Sequence, residues 1–333
     1  MDLDAFVSEH GAEWNRLQVL AGKRRRKLTA AEIDELVVLY RRTATHLSVV
    51  RSRSADPTLV AWLSRLVLLA RAAVTPSAGF SLAAIGRFFW VTFPAEVYRA
   101  RGWWLGVAGV FLGLTGVLIW LTASDPAIPA AFLSPEEIES LVSRDFEAYY
   151  SEFPAENFAA LVWTNNALVS AICLAGGVLL LPTLYLLWVN ALNLGVVGGI
   201  MVSHGRADVF FGLLTVHGLL ELTCVFIAGG LGLRIGWSWI APGPLRTRTQ
   251  ALAETGRSAI VVALGLAAPL FLSGLVEAFV TPAPLIPEVK LAFGALVWLT
   301  FLAYVFILGG RAVSAGESTD VASFEREALA PTV

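Results

Sequence analysis

Apolar residues fall into long unbroken runs over most of this chain, but near the N-terminus they recur at helical intervals. Over residues 1–22, Phe6, Trp14, Leu17 and Leu20 interleave with Glu9, Glu13 and Arg16, which predicts an amphipathic helix. The basic knot Lys23-Arg24-Arg25-Arg26-Lys27 follows and reads as a solvated turn, the alternative being contact with anionic headgroups. Thr29 and Glu32 have capping-box spacing, and Ile33, Leu36, Val37, Tyr40 and Leu47 give a second helix one apolar stripe. After Asp56-Pro57, residues 58–74 predict a third helix, whose Arg65 and Arg71 argue against a membrane span. Residues 1–79 are therefore expected to form a helical cytoplasmic domain resting on the membrane surface.

The pattern changes at residue 80. Residues 80–102 mix Phe, Trp and Tyr with arginine, the signature of an amphipathic elbow helix in the headgroup plane. Arg87, Trp90, Arg99, Arg101, Trp103 and Trp104 are its expected interfacial residues, and Pro94 bends it. From 103 to 311 the apolar runs divide into six spans near 103–123, 159–181, 183–203, 209–232, 258–280 and 289–310. Pro182 marks the break between the second and third, and Pro269 predicts a kink in the fifth. Gly106, Gly109, Gly113 and Gly116 recur three and four apart in the first span, and Gly195 and Gly199 form a GxxxG pair. With Gly229 and Gly232 these are the expected sites of close helix packing. Residues 124–158 form an acidic outer segment, in which Ser134-Pro135-Glu136-Glu137 opens a helix and Phe146, Tyr149, Tyr150 and Phe153 give it an aromatic side. Residues 312–333 read as a flexible polar tail.

Composition sharpens this into an all-α polytopic membrane protein. Only 15% of the 333 residues are charged and 56% are hydrophobic, against a charged fraction of roughly 25% in soluble domains. A net charge of −2 gives no reason to expect nucleic acid as a partner. Lysine and arginine concentrate before the first span and between the fourth and fifth, so six spans place both termini in the cytoplasm by the positive-inside rule. No cleavable signal peptide is expected from the acidic start Met1-Asp2-Leu3-Asp4. Cys173 and Cys224 fall inside apolar runs and read as small buried hydrophobes.

The chemistry-bearing residues lie where they cost most. His217 and Glu221, four apart in the fourth span, share one helix face. An ionisable group in a span costs roughly 2.5–3.5 kcal/mol on insertion scales. Glu277, at the end of the fifth span, and the amides Asn165, Asn166, Asn190 and Asn193 complete an expected buried polar cluster. That cluster reads either as a functional site or as hydrogen-bonded pairs that fix helix packing. A His-plus-Glu pair is a weak metal signal, so no metal or cofactor is expected. His-Glu-x-x-His, nucleophile and phosphate-loop motifs are missing, so the chain reads as a non-enzyme. Two functions lead, a scaffold, or a transporter or channel acting through the polar cluster; the third alternative is an intramembrane enzyme in which His217, Glu221 and Glu277 hold a divalent metal.

His217-Gly218-Leu219-Leu220-Glu221-Leu222, followed by Ala228-Gly229-Gly230-Leu231-Gly232-Leu233-Arg234-Ile235-Gly236, resembles the stage II sporulation protein M family of membrane proteins. Gly274-Leu275-Val276-Glu277-Ala278-Phe279-Val280-Thr281-Pro282 is similar to a second signature of that family. Leu39-Tyr40-Arg41-Arg42 and Phe93-Pro94 resemble its longer actinobacterial members. The resemblance implies a bacterial cytoplasmic-membrane protein. In spore formers the family member is a scaffold for cell-wall hydrolases that remodel peptidoglycan. It therefore implies a scaffold or assembly role in the cell envelope, with the lipid bilayer, envelope proteins and a second copy (a homodimer) as partners. It establishes no catalytic residues.

Overall fold

A computed structural model describes residues 3–23, 28–53, 56–74, 82–146, 154–244 and 246–317. Arg24 to Lys27 of the basic knot, the aromatic residues Tyr149, Tyr150 and Phe153, and the tail beyond Glu317 lie outside the described residues. The described residues are helical, without a strand. The chain divides into two compact units, Met1–Leu82 and Ala83–Val333.

The first unit is three helices, α1 Leu3–Gly22, α2 Ala30–Arg53 and α3 Pro57–Val74. Its core is the set of stripes seen in the sequence: Trp14, Leu17 and Leu20 meet Leu36, Leu47 and Val50 from α2 and Leu63, Leu66 and Ala70 from α3. Thr29 and Glu32 form the expected capping box: the Thr29 amide donates to Glu32 Oε2 at 2.9 Å and the Glu32 amide to Thr29 Oγ1 at 3.2 Å. Lys23 also donates to Glu32, and these hydrogen bonds hold the Glu32 carboxyl at about 2. Helix α3 is long and apolar enough to cross a membrane, despite Arg65 and Arg71, so seven helices among the described residues meet that criterion.

The second unit contains the other six: Arg101–Ser124, Asn157–Leu179, Leu181–Ser203, Ala207–Ile240, Arg248–Val280 and Pro287–Ser314. Before them come α4 Leu82–Arg87, a π-helical turn Phe88–Thr92 and α5 Phe93–Arg99. Helix α6 is Arg101–Ser124; the short α7 Ala127–Ala130 and α8 Pro135–Ser140 follow, the latter capped by Ser134 and Glu137. Next come α9 Ala155–Gly176, α10 Leu181–Ser203, α11 Ala207–Ile240 and α12 Arg248–Leu275, then α13 Pro287–Ala303 and α14 Gly310–Ser314. Helix α11, 34 residues long, runs well past the expected end at 232 and packs against α6, α9, α10, α12 and α13.

Glycine makes that central position possible. A Cβ on Gly232 would lie 2.2 Å from the Cys173 carbonyl oxygen of α9, and one on Gly230 2.6 Å from the Trp104 backbone of α6. Gly229 faces Leu187, and Gly236 faces the Gly177 carbonyl. Gly195 and Gly199 of α10 admit Leu118 and Thr122 of α6. Between α9 and α10, Leu180 takes φ +61°, ψ −52°, a rare turn geometry for a side-chain-bearing residue, and its side chain sits over Gly236.

Three expectations are corrected. Gly106, Gly109, Gly113 and Gly116 pack against none of the described residues: a Cβ at any of them meets open space. Partner glycines on α10 and α11, rather than those on α6, set the close approaches to α6. The elbow does not lie wholly in an interface plane. Arg87 and Trp90 are exposed, but Phe93 to Val97 are buried, with the Phe93 ring over Gly265 and the Pro94 carbonyl against Gly309. Trp104 is core, its indole donating to the Val97 carbonyl at 3.1 Å, whereas Trp103 is half-buried and Arg101 exposed over Tyr98. Finally, the tail does not begin at 312: Ala312 is buried, and Glu317 accepts hydrogen bonds from Arg87 and Arg99.

A second buried polar group, Glu96, lies at the opposite end of the bundle from the 281–286 turn. It accepts from Arg99 Nη1 and Ser258 Oγ, each at 2.5 Å. The sequence reading passed over Glu96, because one acid among aromatics and arginines looks like a surface residue.

Gly232→Ala is expected to lower the unfolding free energy by about 1–3 kcal/mol, the usual range for overpacking, because backbone rather than a flexible side chain blocks the methyl. Gly113→Ala, in open space, should leave it unchanged or slightly higher. Thermal unfolding of both variants in one detergent checks the contrast; equal losses would contradict it.

Candidate functional site

Three helices bring the site together. His217 lies ten residues into α11 and Glu221 one turn further. Asn165 and Asn166 lie ten and eleven residues into α9. Glu277 lies in the π-helical turn Val276–Val280 that ends the fifth span. A π turn shifts the side chains beyond it around the helix axis, and such turns recur at functional positions. The antiparallel order of the helices puts all five residues toward one end of the bundle, the end that also carries the acidic segment.

There they line one cavity of about 360 Å³ with Phe158, Leu161 and Val162. His217 and Glu277 are each only 5% exposed, with His217 Nε2 3.8 Å from Glu277 Oε1. That gap is too long for a hydrogen bond. One ligand-type atom from each of His217, Glu221 and Glu277 falls within 4.8 Å of the others. Glu277 Oε2 is buried without a hydrogen-bond partner among the described residues.

The surrounding polar groups orient these three. Asn165 Nδ2 donates to Asn166 Oδ1 at 3.4 Å, and both amides line the cavity beside Glu221. Thr281 Oγ1 lies 3.4 Å from His217 Nδ1 and from the Val276 carbonyl, while Ser273 Oγ donates to the His217 carbonyl at 3.2 Å. Lys290 Nζ donates to the Thr281 carbonyl at 2.7 Å, tying down the turn that carries Thr281. On the far side of His217, Gly294 of α13 faces the Val216 carbonyl; a Cβ there would come within 2.1 Å.

Two of the expected cluster residues are elsewhere. Asn190 Nδ2 donates to the Leu186 carbonyl of its own helix at 2.8 Å, and Asn193 is exposed on α10. An amide can satisfy itself by bonding one turn back, so it needs no partner helix. Ser273, Thr281 and Lys290 were missed; nothing in their own sequence neighbourhood distinguishes them from ordinary span-end residues. The sequence reading also passed over a triad in the first unit, His10, Glu13 and His46. His46 Nδ1 accepts from the Trp14 indole at 3.1 Å, and its ring stacks on His10 at 4.1 Å. Partial burial, then the neighbouring His10, hold His46 below the usual histidine value.

The helices and their embedded polar cavity define a polytopic α-helical membrane protein. Residues 107–282, just over half the chain, match the family model described as Stage II sporulation protein M, and the chain belongs to that family. Residues 4–76 match a second model, described as a domain of unknown function (DUF8413). No curated protein and no solved structure matches the chain.

If the cluster existed to hold the helices together, removing Glu277 would weaken the fold. Its unpartnered oxygen argues the reverse, because a buried carboxylate short of hydrogen bonds opposes folding. Glu277→Met is expected to stabilise chelator-treated protein by about 1 kcal/mol or more, seen as a higher melting temperature. A lower melting temperature would make the cluster a structural lock.

Proposed function

We propose that this protein is a scaffold or assembly factor of the bacterial cell envelope, and that it self-associates through α6. The observation that carries this reading is the unused glycine face. Where glycines of α10 and α11 meet other helices of the chain, the added Cβ would collide, whereas Gly102, Gly106, Gly109, Gly113 and Gly116 have open space before them. A smooth glycine face in lipid lets another helix approach closely, and packing contacts drive association there. Beside it lies an apolar groove of about 660 Å³ lined by Gly102, Gly106 and Val110 of α6 and Leu184 and Trp188 of α10. Membership of the Stage II sporulation protein M family supports an envelope setting. The loop charges support six spans in the cytoplasmic membrane with both termini inside. The motifs that would make it an enzyme are missing from the sequence.

One observation favours a second reading, a transporter or channel: the cavity at His217, Glu221 and Glu277 offers polar groups inside the bundle. Proteoliposomes that pass protons or small cations, and stop passing them in Glu221→Gln, would favour it.

The self-association has a direct check, because both native cysteines are buried. Val110→Cys, 73% exposed on the glycine face of α6, is expected to give a disulfide-linked dimer on mild oxidation in native membranes. Ile260→Cys, 63% exposed on α12, should not. Equal cross-linking at the two positions, or none at 110, would remove the α6 interface.

A further inference from the structure

We propose that His217, Glu221 and Glu277 bind a divalent transition-metal cation of the zinc class, with its open coordination positions facing the cavity beside Asn165 and Asn166. The site depends on neither the scaffold nor the transport reading, since a bound metal is compatible with both.

The first argument is geometric. Ligands at about 2.0–2.2 Å from a tetrahedral ion stand about 3.3 Å from one another. The three candidate ligand atoms already lie within 4.8 Å of each other, and His217 Nε2 and Glu277 Oε1 are 3.8 Å apart. Side-chain rotation alone closes the remainder. The His217–Glu277 spacing is too wide for a direct hydrogen bond and suited to an ion between the two groups.

Charge gives the second argument. The buried Glu277 and the half-buried Glu221, beside a neutral imidazole, repel each other and are poorly solvated when both are ionised. A divalent cation cancels both charges at once. Glu277 supplies an independent sign of a missing partner: its side chain is 5% exposed, lines the cavity, and leaves Oε2 without a hydrogen bond among the described residues.

The outer groups prepare the ligands in the manner of metal sites. If Thr281 Oγ1 donates to the Val276 carbonyl, it accepts from His217 Nδ1–H, which leaves the Nε2 lone pair directed at Glu277. Asn166 lines the cavity beside Glu221. One imidazole and two carboxylates select a zinc, manganese or iron type of ion over magnesium or calcium, which take oxygen ligands. Three protein ligands leave room for water or a ligand atom, and the 360 Å³ cavity lies on that side. The acidic segment at this end of the bundle, with Asp125, Glu136, Glu137 and Glu139 exposed, raises the local cation concentration.

The test uses tag-free, full-length protein in lipid nanodiscs, with elemental analysis as purified. After chelation, it is titrated with Zn²⁺, Mn²⁺, Fe²⁺ and Co²⁺, the last read by its visible absorption. About one equivalent per chain is expected. Glu221→Gln and Glu277→Gln, near-isosteric and checked for helicity and monodispersity, should lose stoichiometric binding. Thr281→Val should bind about 10–100-fold more weakly, as removal of a supporting group does. No binding of any of the four ions by folded wild type would overturn the proposal. So would undiminished binding in the Glu221→Gln/Glu277→Gln double variant, or loss of the metal in His10→Ala/His46→Ala, which would place it in the first unit.

Discussion

The membrane unit depends on one constraint: α11 packs against five helices, and the tight backbone approaches are made at glycines, on α11 itself or on the neighbouring helix. Gly230 and Gly232 present bare backbone to Trp104 and to the Cys173 carbonyl, and Gly236 does so to Gly177. In lipid, apolar surface gains little by moving from hydrocarbon to protein, so close packing and buried hydrogen bonds carry the association. The same close approach determines where the polar groups fall. His217 and Glu221 lie on this helix, and their side chains share a cavity with residues of α9 and with Glu277 at the end of the fifth span.

This explains why one histidine and two glutamates can lie together at the core of an apolar bundle. Thr281 lies against the His217 ring, Lys290 holds the turn that carries Thr281, and Asn166 lines the same cavity. Glu277 Oε2 has no hydrogen-bond partner among the described residues, and His217 stands 3.8 Å from Oε1. A packing device would satisfy both, as Glu96 does more nearly at the other end of the unit, with Arg99 on one oxygen and Ser258 on the other. The contrast between the two buried acids separates a structural carboxylate from one held ready for a ligand.

The glycines of α6 and α10 make a parallel contrast. Gly195, Gly199 and the α6 series all looked like packing positions. The α10 pair receives Leu118 and Thr122, whereas the α6 series faces away from the bundle. Residues spaced three and four apart show that a helix has a smooth face. They carry no information about what covers it.

The sequence by itself determined the class of protein, the helices of the membrane unit, the capping box at Thr29 and the pairing of His217 with Glu221. All of these follow from local periodicity, end signals and the length an apolar run needs to cross a bilayer. Tertiary structure alone decided the rest. It left Asn193 exposed, sent Asn190 back to its own helix, buried Trp104 and Glu96, and turned the α6 glycines outward. The physical reason is that a helix's own residues define its faces, but which face meets which neighbour depends on small residues on other helices, hundreds of positions away in some cases. Phe93 over Gly265 and Pro94 against Gly309 are such pairs, and neither partner announces the other along the chain.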